Sequence, residues 1–234
     1  LSSAASDVYK RQLQLSDIGT GIDQVSVTQN ENTSVTVTGV YARILGDFVN
    51  LDTLTLDTVG YSGLLANASV SINNVDAGVT VTSIAGTTLT LSGPVTAVDN
   101  SVISFGFGDT PTVSTNRLVV SDAASVSAGV LINGISGVAT ANAIAAVDST
   151  MNTMELEEAA TLASDTEITL TAFLLQRDGQ VLEAGNDYFF QYNTNTNQVV
   201  FAAASTFTLG DYNLRVAPTV QDLGGNSLLV NDAV

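Results

Sequence analysis

An all-β protein is what three features of this sequence predict. From Leu174 to Asn226 apolar and polar residues alternate, and the alternation stops at Asp178-Gly179, at an Asn/Thr cluster and at Leu209-Gly210-Asp211. Antiparallel strands joined by tight turns leave that pattern. Residues 53–107 and 117–173 retrace one another at an offset of 62 to 65 residues, so one strand-rich unit is written twice. The composition leans to Thr, Ser, Val, Asn, Asp and Gly, with 45% hydrophobic residues to build cores.

The elements follow in order. Residues Ser6 to Gln12 read SDVYKRQ, which resembles the translated adapter read-through found at the ends of reading frames assembled from environmental DNA. Residues 1–12 are therefore expected to be a non-native tail, and a missing signal peptide carries no information. In the first copy, VTVTSIAGTTLTLS puts Val79, Val81, Leu89 and Leu91 at alternating positions on either side of Ala85-Gly86, which predicts a hairpin with one buried face. Across the copies Leu54 and Leu56 correspond to Leu118 and Val120, Val70 to Ile132, Ile84 to Val147, Leu89 and Leu91 to Met154 and Leu156, and Ile103 to Ile168. The second copy is more degenerate: its alanine content makes Ala139 to Asp148 an expected loop or single helical turn. Asp178-Gly179 supplies the positive backbone dihedrals of a further hairpin, and Tyr188, Phe190 and Tyr192 form an aromatic core stripe.

Composition restricts the chemistry. The chain has no His, Cys or Trp, and its only Lys is Lys10. A serine nucleophile would lack the imidazole, and nearly always the amine, that activates it. Imidazole and thiolate metal sites are excluded as well, which leaves oxygen-coordinated cations such as calcium. With 23 acidic and six basic residues the formal charge is −17, which disfavours nucleic acid and anionic lipid as partners. No apolar run approaches the roughly 20 residues of a membrane span. Absent cysteine decides nothing about compartment, while a Thr/Ser/Val/Asn-rich chain with one Lys points to an extracellular or cell-surface location.

The terminal segments carry a resemblance. LSDIGTGIDQVSVTQNENTSVTVT, residues 15–38, and TLTAFLLQRDGQVLEAGNDYFFQYNTNTNQVVF with YNLRVAPTVQDLGGNSL, residues 169–228, look like bacterial Ig-like domains of large repetitive surface and adhesin proteins. In that family GTGID, RDG, a GxDYxFxYN run and DLAGN follow in this order, and Gly224 stands here where the family has Ala. The AGTTLTLS stretch also resembles small β-units of phage tail and surface proteins.

The resemblance implies an Ig-like β-sandwich plus two small repeated β-units. Its parts are residues 13–40 and 169–234 for the sandwich, 50–108 for the first β-repeat and 115–168 for the second. Either the repeat pair is inserted into one sandwich, in which case residues 15–38 pack on 169–228, or the chain is a slice of a tandem array. The implied function is a non-enzymatic structural or adhesive segment of a large bacterial surface or secreted protein. Its partners would be neighbouring modules, and beyond them an extracellular glycan or protein. The alternatives are a calcium-supported glycan- or protein-binding module and a phage tail or fibre component.

Asp17, Asp23, Asp222 and Asn226 are the candidate calcium ligands, since clustered Asp and Asn at the end of such a module, with loop carbonyls, supply oxygens. Their spacing is not that of an EF-hand loop, and turn or capping roles account for the same residues. Glu155, Glu157 and Glu158 form the densest acidic run. A glycosidase needs such a carboxylate pair, but alternation places Glu155 and Glu157 on the wet face of a strand whose buried residues are Met154 and Leu156.

Overall fold

A computed structural model describes residues 12–16, 34–58, 61, 65–109, 112–136, 140–193, 195, 198–205, 207–221 and 224, the side chains of 12–16 and of Tyr192 excepted. The described residues contain strands and no helix, so none could cross a membrane as a long apolar helix. Among the described residues fourteen strand pairings are antiparallel, and one isolated bridge, Ala184 to Tyr188, is parallel. Two compact units divide the chain. The first takes Leu1–Ser34, Ala128–Ala143 and Ile168–Val234, and the second takes Val35–Ser127 and Ile144–Glu167.

In the first unit β1 (Gln12–Ser16) pairs with β16 (Gln198–Ala203), which pairs in turn with β15 (Tyr188–Asn193). A second sheet holds β13 (Phe173–Arg177) between β14 (Gln180–Val181) and β17 (Tyr212–Val216). The inward residues of both sheets share one core of Phe173, Leu175, Tyr188, Val199 and Phe201, as sandwich packing requires. Phe173 meets Phe190 edge-on at 5.0 Å and Phe201 at 5.4 Å between ring centroids. The buried Tyr188 hydroxyl is satisfied by donating to Phe173 O at 2.7 Å. Asp178 and Gly179, at φ 51° and 79°, turn β13 into β14. Thus Tyr188 and Phe190 lie in the core, and the Tyr192 side chain falls outside the described residues.

The two sequence copies have the same strand pairings. The first contains β3 (Phe48–Thr55), β4 (Ser69–Ile72), β5 (Val75–Ala85), β6 (Thr88–Ala97) and β7 (Val102–Phe105). The second contains β8 (Val113–Val120), β9 (Leu131–Ile135), β10 (Asn142–Asp148), β11 (Thr153–Leu162) and β12 (Glu167–Thr171). The pairs β3–β6, β6–β5, β5–β4 and β4–β7 recur as β8–β11, β11–β10, β10–β9 and β9–β12. Registers recur too: Leu54↔Leu89 matches Leu118↔Met154, Ile84↔Leu89 matches Val147↔Met154, and Val70↔Phe105 matches Ile132↔Leu170. Even the bulge in β5, between Val81 and Ser83, has its counterpart in β10 between Ile144 and Ala146.

The first copy's hairpin turns at Gly86-Thr87 with Gly86 at φ +61°, one residue later than expected. Val81, Leu89 and Leu91 are buried, Val79 is half-buried, and Thr82 and Thr88 are exposed. In β11 Met154 and Leu156 are each 1% exposed, whereas Glu157 and Glu158 face outward.

β2 (Ser34–Arg43) serves the second unit twice over. Its residues Val37 to Val40 pair with β8, and Val40 to Arg43 pair with β7. Ile44, just past its end, bridges to Leu56, and Leu45 N donates to Thr55 O at 2.8 Å, which returns the chain to β3. These contacts bring β3 back beside the end of β2, so that the first copy and β2 close into a ring of six strands.

The segment Ala139 to Asp148 corrects an expectation: Asn142–Asp148 is strand β10, not a loop or helical turn. Alanine's helix preference is a weak prior beside the ladder bonds and burial that Ile144 gains opposite Leu156. At the N-terminus, residues 1–11 lie outside the described residues. Of residues 15–38, Leu15 and Ser16 pair with Val199 and Gln198, residues 17–33 lie outside the described residues, and 35–38 belong to the second unit.

Candidate binding cleft

All four candidate calcium ligands, Asp17, Asp23, Asp222 and Asn226, lie outside the described residues. Among the described residues no group of three or more carboxylates is disposed to hold a metal ion.

The second unit instead carries a polar cleft of about 430 Å³, lined by β2, β8, β10 and β11. Each wall follows from strand geometry. Tyr41 and Arg43 are two residues apart on β2 and so point the same way. Arg117 on β8 sits directly opposite Glu155 on β11. The bulge after Ile144 turns the end of β10 so that Ala146 to Asp148 line the cleft. In the loop that follows, Asp148 accepts N–H bonds from Thr150 at 3.0 Å and from Met151 at 3.2 Å.

The charges are largely paired among themselves. Arg117 Nη1 donates to Asp57 Oδ2 at 2.6 Å, and its Nε lies 3.9 Å from Glu155 Oε1. The other Asp57 oxygen takes the Arg43 backbone N–H at 2.9 Å, so one carboxylate ties β8 to β2. The Arg117 guanidinium stands 5.7 Å from the centroid of the Tyr41 ring. Glu155 also accepts from Asn116 Nδ2 at 3.1 Å, and Arg43 Nη1 donates to Asn100 O at 3.3 Å.

Burial and these partners set the proton affinities. Burial disfavours the Arg117 charge, yet the hydrogen bond and charge of Asp57 outweigh it and raise its pKa. Burial, with the charge of Glu155, pushes the Tyr41 phenol above its ordinary value. The Thr150 hydroxyl donates to Asp148 and, with the loop N–H groups, holds that carboxyl below its ordinary value. Arg117 and Asp148 thus both keep their charges at neutral pH.

Sequence reasoning assigned Glu155 only to a wet strand face and did not single out Tyr41, Arg43, Arg117 or Asp148. One signal was present: in a chain with six basic residues, each arginine is conspicuous. The arrangement presents donors and acceptors held in place by their own partners. No known family model, curated protein or solved structure matches this chain.

Proposed function

We propose that the chain is a non-enzymatic structural and adhesive segment of a large bacterial surface or secreted protein. The observation that carries this reading is the duplication, in which two five-stranded copies share their pairings and registers and a single strand, β2, serves both. Repeated β-units extend a chain in regular steps and so hold a binding region at a distance. The acidic surface, at a formal charge of −17, keeps such a chain soluble and away from anionic surfaces.

The sequence of the gene on either side of this segment tests the reading. Further copies of the five-stranded unit together with a secretion or anchoring signal support it. A gene of this length with neither refutes it.

The calcium-supported variant has a separate test, because an ion bound only by the folded state raises the melting temperature in proportion to ln(1 + [Ca²⁺]/Kd). Equal melting temperatures in millimolar calcium and in chelator remove that variant.

A further inference from the structure

From the cleft between β2, β8, β10 and β11 we infer a binding site for an uncharged saccharide, with Arg43, Asp148, Ser149 and Glu155 as its hydrogen-bonding groups. This gives the adhesive half of the proposed function its chemistry and rests on that reading.

Charge balance selects the ligand class. Arg117 is neutralised by Asp57 and Glu155, while Arg43 faces a cleft that also holds Asp148. Two arginines against three carboxylates leave no excess positive charge to attract an anion. The two carboxylates that line the cleft, Asp148 and Glu155, share it with two guanidinium groups, so a bare cation would meet like charge there. What the cleft offers is hydrogen-bonding capacity in fixed planes. Guanidinium nitrogens donate in pairs and carboxylate oxygens accept in pairs, which is the geometry that adjacent sugar hydroxyls meet from both sides.

The site is held in advance of any ligand. Cross-strand pairing fixes Arg117 and Glu155, and the Asp148 turn is fixed by its own N–H bonds. Ala146 and Val147 add a small apolar wall for the carbon face of a ring, and 430 Å³ is room for a mono- or disaccharide.

The test uses the 234-residue chain. Saturation-transfer NMR is recorded with glucose, galactose, mannose, N-acetylglucosamine and lactose, and with glucuronic acid as the anionic control. Arg43→Ala removes a donor, and Ala146→Trp fills the cleft from an exposed strand position. The expected result is transfer to at least one neutral sugar and weaker transfer to glucuronic acid. Affinity should fall about tenfold or more in both variants, with the melting temperature of each close to that of the parent.

Three results overturn the proposal: no transfer to any of the five neutral sugars, binding that survives both variants, or tighter binding of glucuronic acid than of glucose. A negative result leaves the gene-context test untouched, so failure of the ligand and failure of the structural reading are told apart.

Discussion

Val37 and Ile44, seven residues apart on one stretch of chain, make the same pair of backbone hydrogen bonds in the two copies. Ile44 N donates to Ser101 O at 2.9 Å and Ile44 O accepts from Asn100 N at 2.8 Å; Val37 N donates to Thr166 O at 2.8 Å and Val37 O accepts from Asp165 N at 2.9 Å. Asn100 and Asp165 both hold φ near +60°, at 63° and 60°, and lie 65 residues apart, at the upper end of the repeat's offset of 62 to 65. One strand thus docks twice against the same turn. Both side chains are fully buried, so Ile44→Ala should cost about 2–5 kcal/mol and Val37→Ala somewhat less. Urea unfolding followed by circular dichroism checks this, with both variants lowering the transition of the second unit.

Gly39 lies where β2 leaves β8 and joins β7, at the register shift after Val37. A Cβ there would overlap Phe105 O, a backbone atom that cannot swing away. Gly39→Ala should therefore destabilise the second unit by about 1–3 kcal/mol, as overpacking does. Gly78→Ala is an informative partner variant, since its site is open and only its φ of +66° opposes the change. Thermal melts of the two variants should rank Gly39→Ala as the more damaging.

Tyr61 is 1% exposed, donates its hydroxyl to Tyr41 O at 2.8 Å and packs edge-on against Phe105. Burial pushes its phenol from 10.0 up to about 12. The folded state therefore holds this proton more tightly than the unfolded one, so the associated stability is complete below pH 10 and is lost as pH rises through about 12. Phenolate absorbance during an alkaline titration should rise together with unfolding. Tyr61→Phe should be less stable than the parent at neutral pH, by about 0.5–1.5 kcal/mol for the lost hydroxyl bonds, yet lose less of its stability between neutral pH and pH 12.

Arg117 joins Asp57 and Glu155, and about a quarter of its side chain is exposed. Arg117→Ala leaves Asp57 with only the Arg43 N–H as a hydrogen-bond donor in this cluster, at an expected cost of about 1–3 kcal/mol. Arg117→Lys should recover only part of it, because an ammonium cannot meet two carboxylates in one plane while lying over the Tyr41 ring. Equilibrium unfolding at low and high salt checks both variants. The parent should lose stability with salt, and the alanine variant should respond less.

Sequence and structure agree most closely where the apolar pattern is regular. In β6, Leu89, Leu91, Val95 and Ala97 are buried and alternate with half-buried or exposed residues, as the letters suggest. They part company at β10, where alanine speaks for helix and the partner strand decides for strand. The cleft was least legible. Tyr41, Asp57, Arg117 and Asp148 are separated by up to 107 residues, and no local spacing marks them as neighbours.

The sequence by itself determined the all-β class, the turn at Asp178-Gly179, the buried Val81, Leu89 and Leu91 of the first copy's hairpin and the offset of the repeat, because these depend on side-chain alternation and local dihedrals. Only the tertiary structure decided that β2 serves both copies, that Asp57 ties β2 to β8, and that a charge-paired cleft forms beside them. Those relations depend on which strand edges meet, and an edge is a row of backbone N–H and C=O groups that every residue but proline presents alike.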